Sequence, residues 1–352
     1  MSAKDGARNL LASCAGLAPG DAVLIVAEDE ELGWYEAAAA EIVADEARRM
    51  GLSATLMTTR ALTPGTDAVL DSAVQAADAV VYFARIGDRD RFDARTDDRT
   101  VVMSYVSRAD GLTTPFATTP HPAMAALKDA VDAVTFAARE IAVTCPLGTA
   151  LAGTPGPQPL AGDVSVRRFP LAVPMPVPAD AFSGIVTLST ALAPTGSRLY
   201  EPAALELPRP VHATVRAGRL TALDGSAEDV AAVRAHIDHV AGLFDLDGAA
   251  IHSFHAGLSP AADTPFPAAS DYDRWANTIF PHPRLLHFHT CGAEPPGEIC
   301  WMVVDPTVTL DGVALWDRGR LHPERFEATR RCLDEWPALT ALYAAPPGRI
   351  GL

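Results

Sequence analysis

Through residue 145 the chain alternates between two hydrophobic periods. DAVLIVA (21–27), after the turn signal Pro-Gly-Asp, is a short apolar run of the buried-strand type, and WYEAAAAEIVADEARRMG (34–51) is an Ala-rich amphipathic helix closed by Gly51. The alternation continues with LSATLMTT (52–59) as a strand, AVLDSAVQAAD (68–78) as a helix and AVVYFARI (79–86) as a strand. RTVVMSYV (99–106) reads as a strand, HPAMAALKDAVDAVTFAA (121–138) as a helix and EIAVTC (140–145) as the last strand of the set. Strands separated by helices predict a parallel α/β sandwich with right-handed crossovers.

From residue 146 the pattern breaks. PLGTALAGTPGPQPLAGDVSVRRFPLAVPMPVPADAF is so rich in Pro and Gly that it predicts neither a long helix nor a central strand, which places a domain boundary there. Beyond it SGIVTLSTAL and PVHATVRAGRLTALDG read as strands, the second folded into a hairpin at Ala217-Gly218. SAEDVAAVRAHIDHVAGLF (226–244) is a helix with Ser226 as N-cap and Asp229 three residues on. AAIHSFHAG, RLLHFHTC, EICWMVV and VALWDRGRL follow as strands, and HPERFEATRRCLDEWPALTALY as one closing helix. The expected fold is an α/β scaffold domain over residues 1–145 and an α+β domain over 146–352.

Composition narrows the function classes. A formal charge of −16 repels phosphate backbones and anionic lipid, which argues against nucleic-acid and membrane partners. The N-terminus has no apolar signal region, and five scattered cysteines suit reduced thiols, so a cytoplasmic location is expected. No G-x-G-x-x-G or Walker loop occurs, so the first domain reads as a scaffold without a nucleotide. Arg85, Asp88, Arg89, Asp90 and Arg91 read as a mixed-sign solvated loop.

Candidate chemistry gathers in LLHFHTCGAEPPGEICWM (285–302). Residues two apart on a strand share a face, so His287, His289 and Cys291 point one way, as do Glu298, Cys300 and Met302. If GAEPPG closes a hairpin, Cys291 lies opposite Glu298 and His289 opposite Cys300, with Cβ atoms about 4.5–5.5 Å apart. Imidazole, thiolate and carboxylate at that spacing suit Zn(II) or Fe(II), although a strand histidine and a buried cysteine also pack without a metal. His236 and His239 read as an exposed stripe on a helix, Cys145 as a buried thiol, and Asp305 and Asp311 as turn residues.

The order of VRAGRLTALDG, IHSFHAGLSP, LLHFHTCG and EICWMVVDPTVTLDG resembles the family that joins thermophilic-type metallo-aminopeptidases (aminopeptidase T and S) to 2,5-dihydroxypyridine 5,6-dioxygenase. The resemblance covers roughly residues 210–320 and implies that family's α/β plus α+β architecture and a homodimer. Its H-x-D metal ligands fall on Glu298 and Cys300, a further ligand falls on Ser253 with His252 and His255 to either side, and an upstream glutamate has no counterpart. The resemblance therefore implies a non-catalytic protein of specialised metabolism, a pseudoenzyme that needs no cofactor. A peptide or small metabolite would bind in a cleft lined by His252, His255, His287, His289, Glu298 and Cys300. The alternative is an active metalloenzyme with a rebuilt site of His252, His289, Glu298 and Cys300, acting as an Fe(II) ring-cleaving dioxygenase or a Zn(II) hydrolase.

Overall fold

The computed structural model describes residues 2–89, 91, 97–158, 164–196 and 200–352, which form two compact units. The first comprises Met1–Ala126 and Ala161–Leu171, the second Leu127–Leu160 and Ala172–Leu352.

In the first unit the predicted α/β alternation is present. Strands run parallel in the order Ser53–Thr59, Ala22–Glu28, Ala79–Phe83, Thr100–Ser104 and Arg167–Phe169. Because side chains alternate faces, Val23 and Ile25 pack with Leu10, Ala39 and Val43 on one side, while Leu24 and Val26 pack with Leu70 and Val80 on the other. Both faces of the central strands Ala22–Glu28 and Ala79–Phe83 are covered, which explains why these two read as continuous apolar runs. The charged segment after Phe83 is not a solvated loop. Arg85, Asp88 and Arg91 are buried, and Asp90 lies outside the described residues. Burial is tolerated because each charge is paired. Glu28 accepts the Arg85 backbone N–H and guanidinium, Arg85 lies 4.6 Å from the Trp34 ring centroid, and Asp88 accepts from Arg91 and from the Tyr105 hydroxyl.

The second unit is built on an antiparallel sheet whose path contains, in succession, Thr307–Leu310, Ile141–Thr144, Ala150–Gly153, Phe182–Ala193, Glu298–Val304, Leu285–Cys291 and Ile251–Ala256. Several sequence expectations change here. Ile141–Thr144 is a strand, but it pairs antiparallel with Thr307–Leu310 and does not extend the parallel sheet. Ala150–Gly153, inside the Pro/Gly-rich segment, is an interior strand; it is four residues long and its glycine avoids a clash with Phe182. The closing helix is two helices, Glu327–Glu335 and Pro337–Ala344, because a proline at the first position of the second disfavours helical geometry in Trp336. Helix Tyr272–Ile279, capped by Asp271, was not anticipated from the sequence. Turn residues behave as predicted: Ala217 and Gly218 both have positive φ, as do Asp311 and Gly312, so each pair closes a tight hairpin of the primed type. No helix among the described residues is long and apolar enough to cross a membrane.

His236 departs from the exposed-stripe expectation, since it turns inward from helix Ala227–Phe244 towards the Tyr200 ring, whereas His239 stays outside and bonds the Glu201 carbonyl. Burial lowers the pKa of His236 to about 4 and that of His282 likewise to about 4. Both are depressed below the unfolded value, so between pH 6.5 and 4 the unfolded chain binds more protons and stability falls as pH falls. Unfolding free energies from urea titrations across that window are expected to drop, by up to about 3 kcal/mol per histidine. His236→Gln and His282→Gln variants should flatten the profile, and an unchanged slope in both would contradict this account.

Candidate metal centre

Three adjacent strands bring the site together. Between Leu285–Cys291 and Glu298–Val304 the register sets His289 opposite Cys300 and Cys291 opposite Glu298, as alternation and the Gly292–Gly297 turn require. Strand Ile251–Ala256 pairs on the other edge, with Ser253 opposite His289 and His255 opposite His287. A register shift lies between Ile251 and Ser253. This bulge decides which histidine faces the site. Without the extra residue His252 would stand opposite His289; with it, His252 turns away to bond the Cys291 carbonyl at 2.9 Å and is exposed.

His255, His287, His289, Glu298 and Cys300 are all buried on one face. The Nε2 atoms of His255 and His287 are 2.9 Å apart, and those of His255 and His289 are 3.2 Å apart. The far nitrogens explain this convergence. His255 Nδ1 faces the Pro174 carbonyl at 2.7 Å and His289 Nδ1 faces Glu298 Oε1; a carbonyl, and a carboxylate in its ionised form, only accept. Each Nδ1 therefore carries the proton, and the two Nε2 lone pairs point at each other. Such an arrangement is repulsive unless a proton or a cation lies between the lone pairs. Three imidazoles aimed at one point, two of them (His255 and His289) with acceptors fixing their tautomers, make a donor set that suits Zn(II) or Fe(II). The residues present fit a divalent cation.

Supporting groups lock this geometry. Glu298 Oε2 accepts from the Thr195 amide at 3.2 Å and from its hydroxyl, and the Tyr200 hydroxyl donates to the Glu298 carbonyl at 2.8 Å. Burial, then the proximity of Cys300 and Glu298, raises the Tyr200 pKa, so its hydroxyl stays protonated and a donor. Phe280 stacks on His287 with centroids 4.2 Å apart. Ligand atoms of His289, Glu298 and Cys300 also lie within 4.8 Å of one another, which places a thiol beside the triad.

Of the residues singled out in the sequence, His255, His287, His289, Glu298 and Cys300 converge and His252 does not. Thr195 and Pro174, which hold Glu298 and His255, were missed; each acts across a sequence separation of 103 or 81 residues, and neither belongs to a motif. Cys145 is half-buried rather than buried, with its sulfur accepting the Thr149 amide at 3.4 Å in a tight turn. Asp311 accepts the amides of Arg139 and Glu140, and Asp305 pairs with Arg284, both at positive φ as turn residues.

No family model and no curated protein matches the chain. Solved structures do. 2,5-Dihydroxypyridine dioxygenase from Pseudomonas putida KT2440 superposes with a TM-score of 0.60 at 13% identity, over 94% of this chain and 100% of that one. Wild-type AmpT from Thermus thermophilus superposes with a TM-score of 0.51 at 14% identity, over 91% and 98%. At these identities the likeness establishes a shared fold, the one expected from the ordered motifs.

Proposed function

We propose that this chain is a metal-dependent enzyme whose divalent cation is held by the Nε2 atoms of His255, His287 and His289. The observation that carries the proposal is the pair of Nε2 contacts, 2.9 and 3.2 Å, between rings whose Nδ1 atoms on His255 and His289 are already committed to Pro174 and Glu298. Three neutral imidazoles leave the cation its full charge, and borderline-soft nitrogen suits Fe(II) or Zn(II). When bound, such a cation supplies Lewis-acid polarisation of an anionic or carbonyl oxygen on a small metabolite. Glu298 holds the His289 proton away from the centre, Pro174 does the same for His255, and Phe280 shields His287 from water.

Between the two reaction classes, the geometry favours dioxygenase chemistry over hydrolysis. A hydrolase needs a carboxylate or equivalent base poised over the attacking water. Glu298, the carboxylate at this centre, is occupied by His289 and by both Thr195 donors.

A second reading, a cleft that binds a peptide or metabolite without metal, draws support from Glu298 and Cys300 standing where the resemblance places ligands. Metal content separates the two. Protein purified without chelator should carry close to one iron or zinc per chain. Protein that contains neither and takes up no Fe(II), Zn(II) or Co(II) would overturn the metalloenzyme reading and favour metal-free binding.

A further inference from the structure

The acceptor that fixes the tautomer of His255 belongs to a stretch with no regular structure. Pro174 lies in a segment, residues 171–176, that pairs with no strand, and proline has no amide with which to anchor itself. The segment is buried at Ala172, Pro174 and Met175, yet packing leaves a small gap beside it. A cavity of about 20 Å³ borders it, lined by Pro174, Met175 and His255 together with Thr135, Leu286 and Trp316. The Thr135 hydroxyl has no hydrogen-bond partner among the described residues, so it does not hold the segment. Besides the Pro174–His255 bond, hydrogen bonds tie the segment to its surroundings at Ala172 and Met175. The Leu258 amide donates to the Ala172 carbonyl at 2.9 Å, and the Met175 amide donates to Asp132 Oδ1 at 2.9 Å.

Asp132 is itself firmly placed. It sits on helix His121–Ala137, is 2% exposed, and its other oxygen takes the Lys128 ammonium at 2.6 Å one turn earlier. A continuous relay therefore runs from a rigid helix through the Met175 amide and the adjoining Pro174 carbonyl to His255 Nδ1.

We propose that Asp132 is a positioning residue for the histidine centre, which through Met175 and Pro174 keeps the His255 proton on Nδ1 and its Nε2 lone pair on the ligand side. The proposal rests on the three-histidine reading for its consequence, but not for its geometry. Without Asp132 the segment can relax into the adjoining cavity, Pro174 withdraws, and the proton redistributes between the two ring nitrogens of His255. Loss of a partner that orients a ligand typically costs 10- to 100-fold in metal affinity. A partner one step further out should cost about tenfold.

The test uses full-length Asp132→Ala and Asp132→Asn proteins, with Asp132→Ser, too short to reach Met175, if the alanine variant fails to fold. Nitrogen-15 NMR of the metal-free protein, with the His255 resonances assigned by comparison with a His255→Gln variant, reports the tautomer directly. Cobalt(II) titration reports affinity. Asp132→Ala should shift His255 away from the Nδ1–H form and weaken cobalt binding about tenfold, while Asp132→Asn, which retains an acceptor oxygen, should restore both. An unchanged His255 tautomer in the alanine and serine variants would overturn the positioning role. A shifted tautomer in a protein that binds no cobalt even as wild type would uphold that role while refuting the metal reading.

Discussion

His287→Ala protein is expected to bind cobalt(II) at least about a hundredfold more weakly than the parent and to emerge from purification without iron or zinc. Structural zinc sites gain on the order of 10–16 kcal/mol from four ligands, so one imidazole carries roughly 3 kcal/mol, or about two decades of affinity. His287 is the informative choice because its ring is enclosed between His255, His289 and Phe280, with 2% exposure, so no solvent ligand replaces it easily. His252→Ala is the matched control. His252 carried the same weight in the sequence, yet it bonds the Cys291 carbonyl outside the cluster, and its removal should leave cobalt affinity within about twofold. Equal losses in the two variants would show that the Nε2 convergence is not the binding site.

Glu298→Ala should be the most destabilising single change at the centre, with a loss of about 3–5 kcal/mol and a fall in Tm of about 10 °C. The carboxylate is 1% exposed and accepts three donors: His289 Nδ1, the Thr195 amide and the Thr195 hydroxyl. Alanine would strand these buried donors, each at about 1–3 kcal/mol, and would release the His289 tautomer. Metal affinity should fall 10- to 100-fold together with stability. Glu298→Gln retains one acceptor oxygen but sets an amide N–H₂ against the remaining donors, so it should lie between alanine and wild type in differential scanning calorimetry. A Glu298→Ala protein as stable as wild type would mean that the carboxylate does not orient His289.

The central strands of the parallel sheet, Ala22–Glu28, Ala79–Phe83 and Thr100–Ser104, could be read from the chain because each is apolar on both faces, whereas the edge strand Arg167–Phe169, in the Pro/Gly-rich segment, could not. The His289–Cys300 register was legible for the same reason, since a seven-residue strand, a short turn and a second seven-residue strand are neighbours in sequence. Alternation in RLLHFHTC and EICWMVV left one pairing that keeps His289, Cys300 and Glu298 on a shared face. The burial of Arg85, Asp88 and Arg91 was not legible, because a run of mixed charges looks the same whether water or Glu28, Trp34 and Tyr105 surround it.

The histidine triad marks the boundary between the two kinds of information. Local chemistry alone determined which residue types the second unit carries, which strands hold them, and which positions within one strand share a face. Tertiary structure alone decided that His255 and not His252 completes the cluster, because a bulge of one residue between Ile251 and Ser253 shifts the register and moves every following side chain to the opposite face. It likewise decided that Thr195, Pro174 and Asp132 hold the site from afar. Side-chain period is a property of the backbone and is written in each strand. Pairing register and long-range hydrogen bonds belong to contacts between segments, and no single segment encodes them.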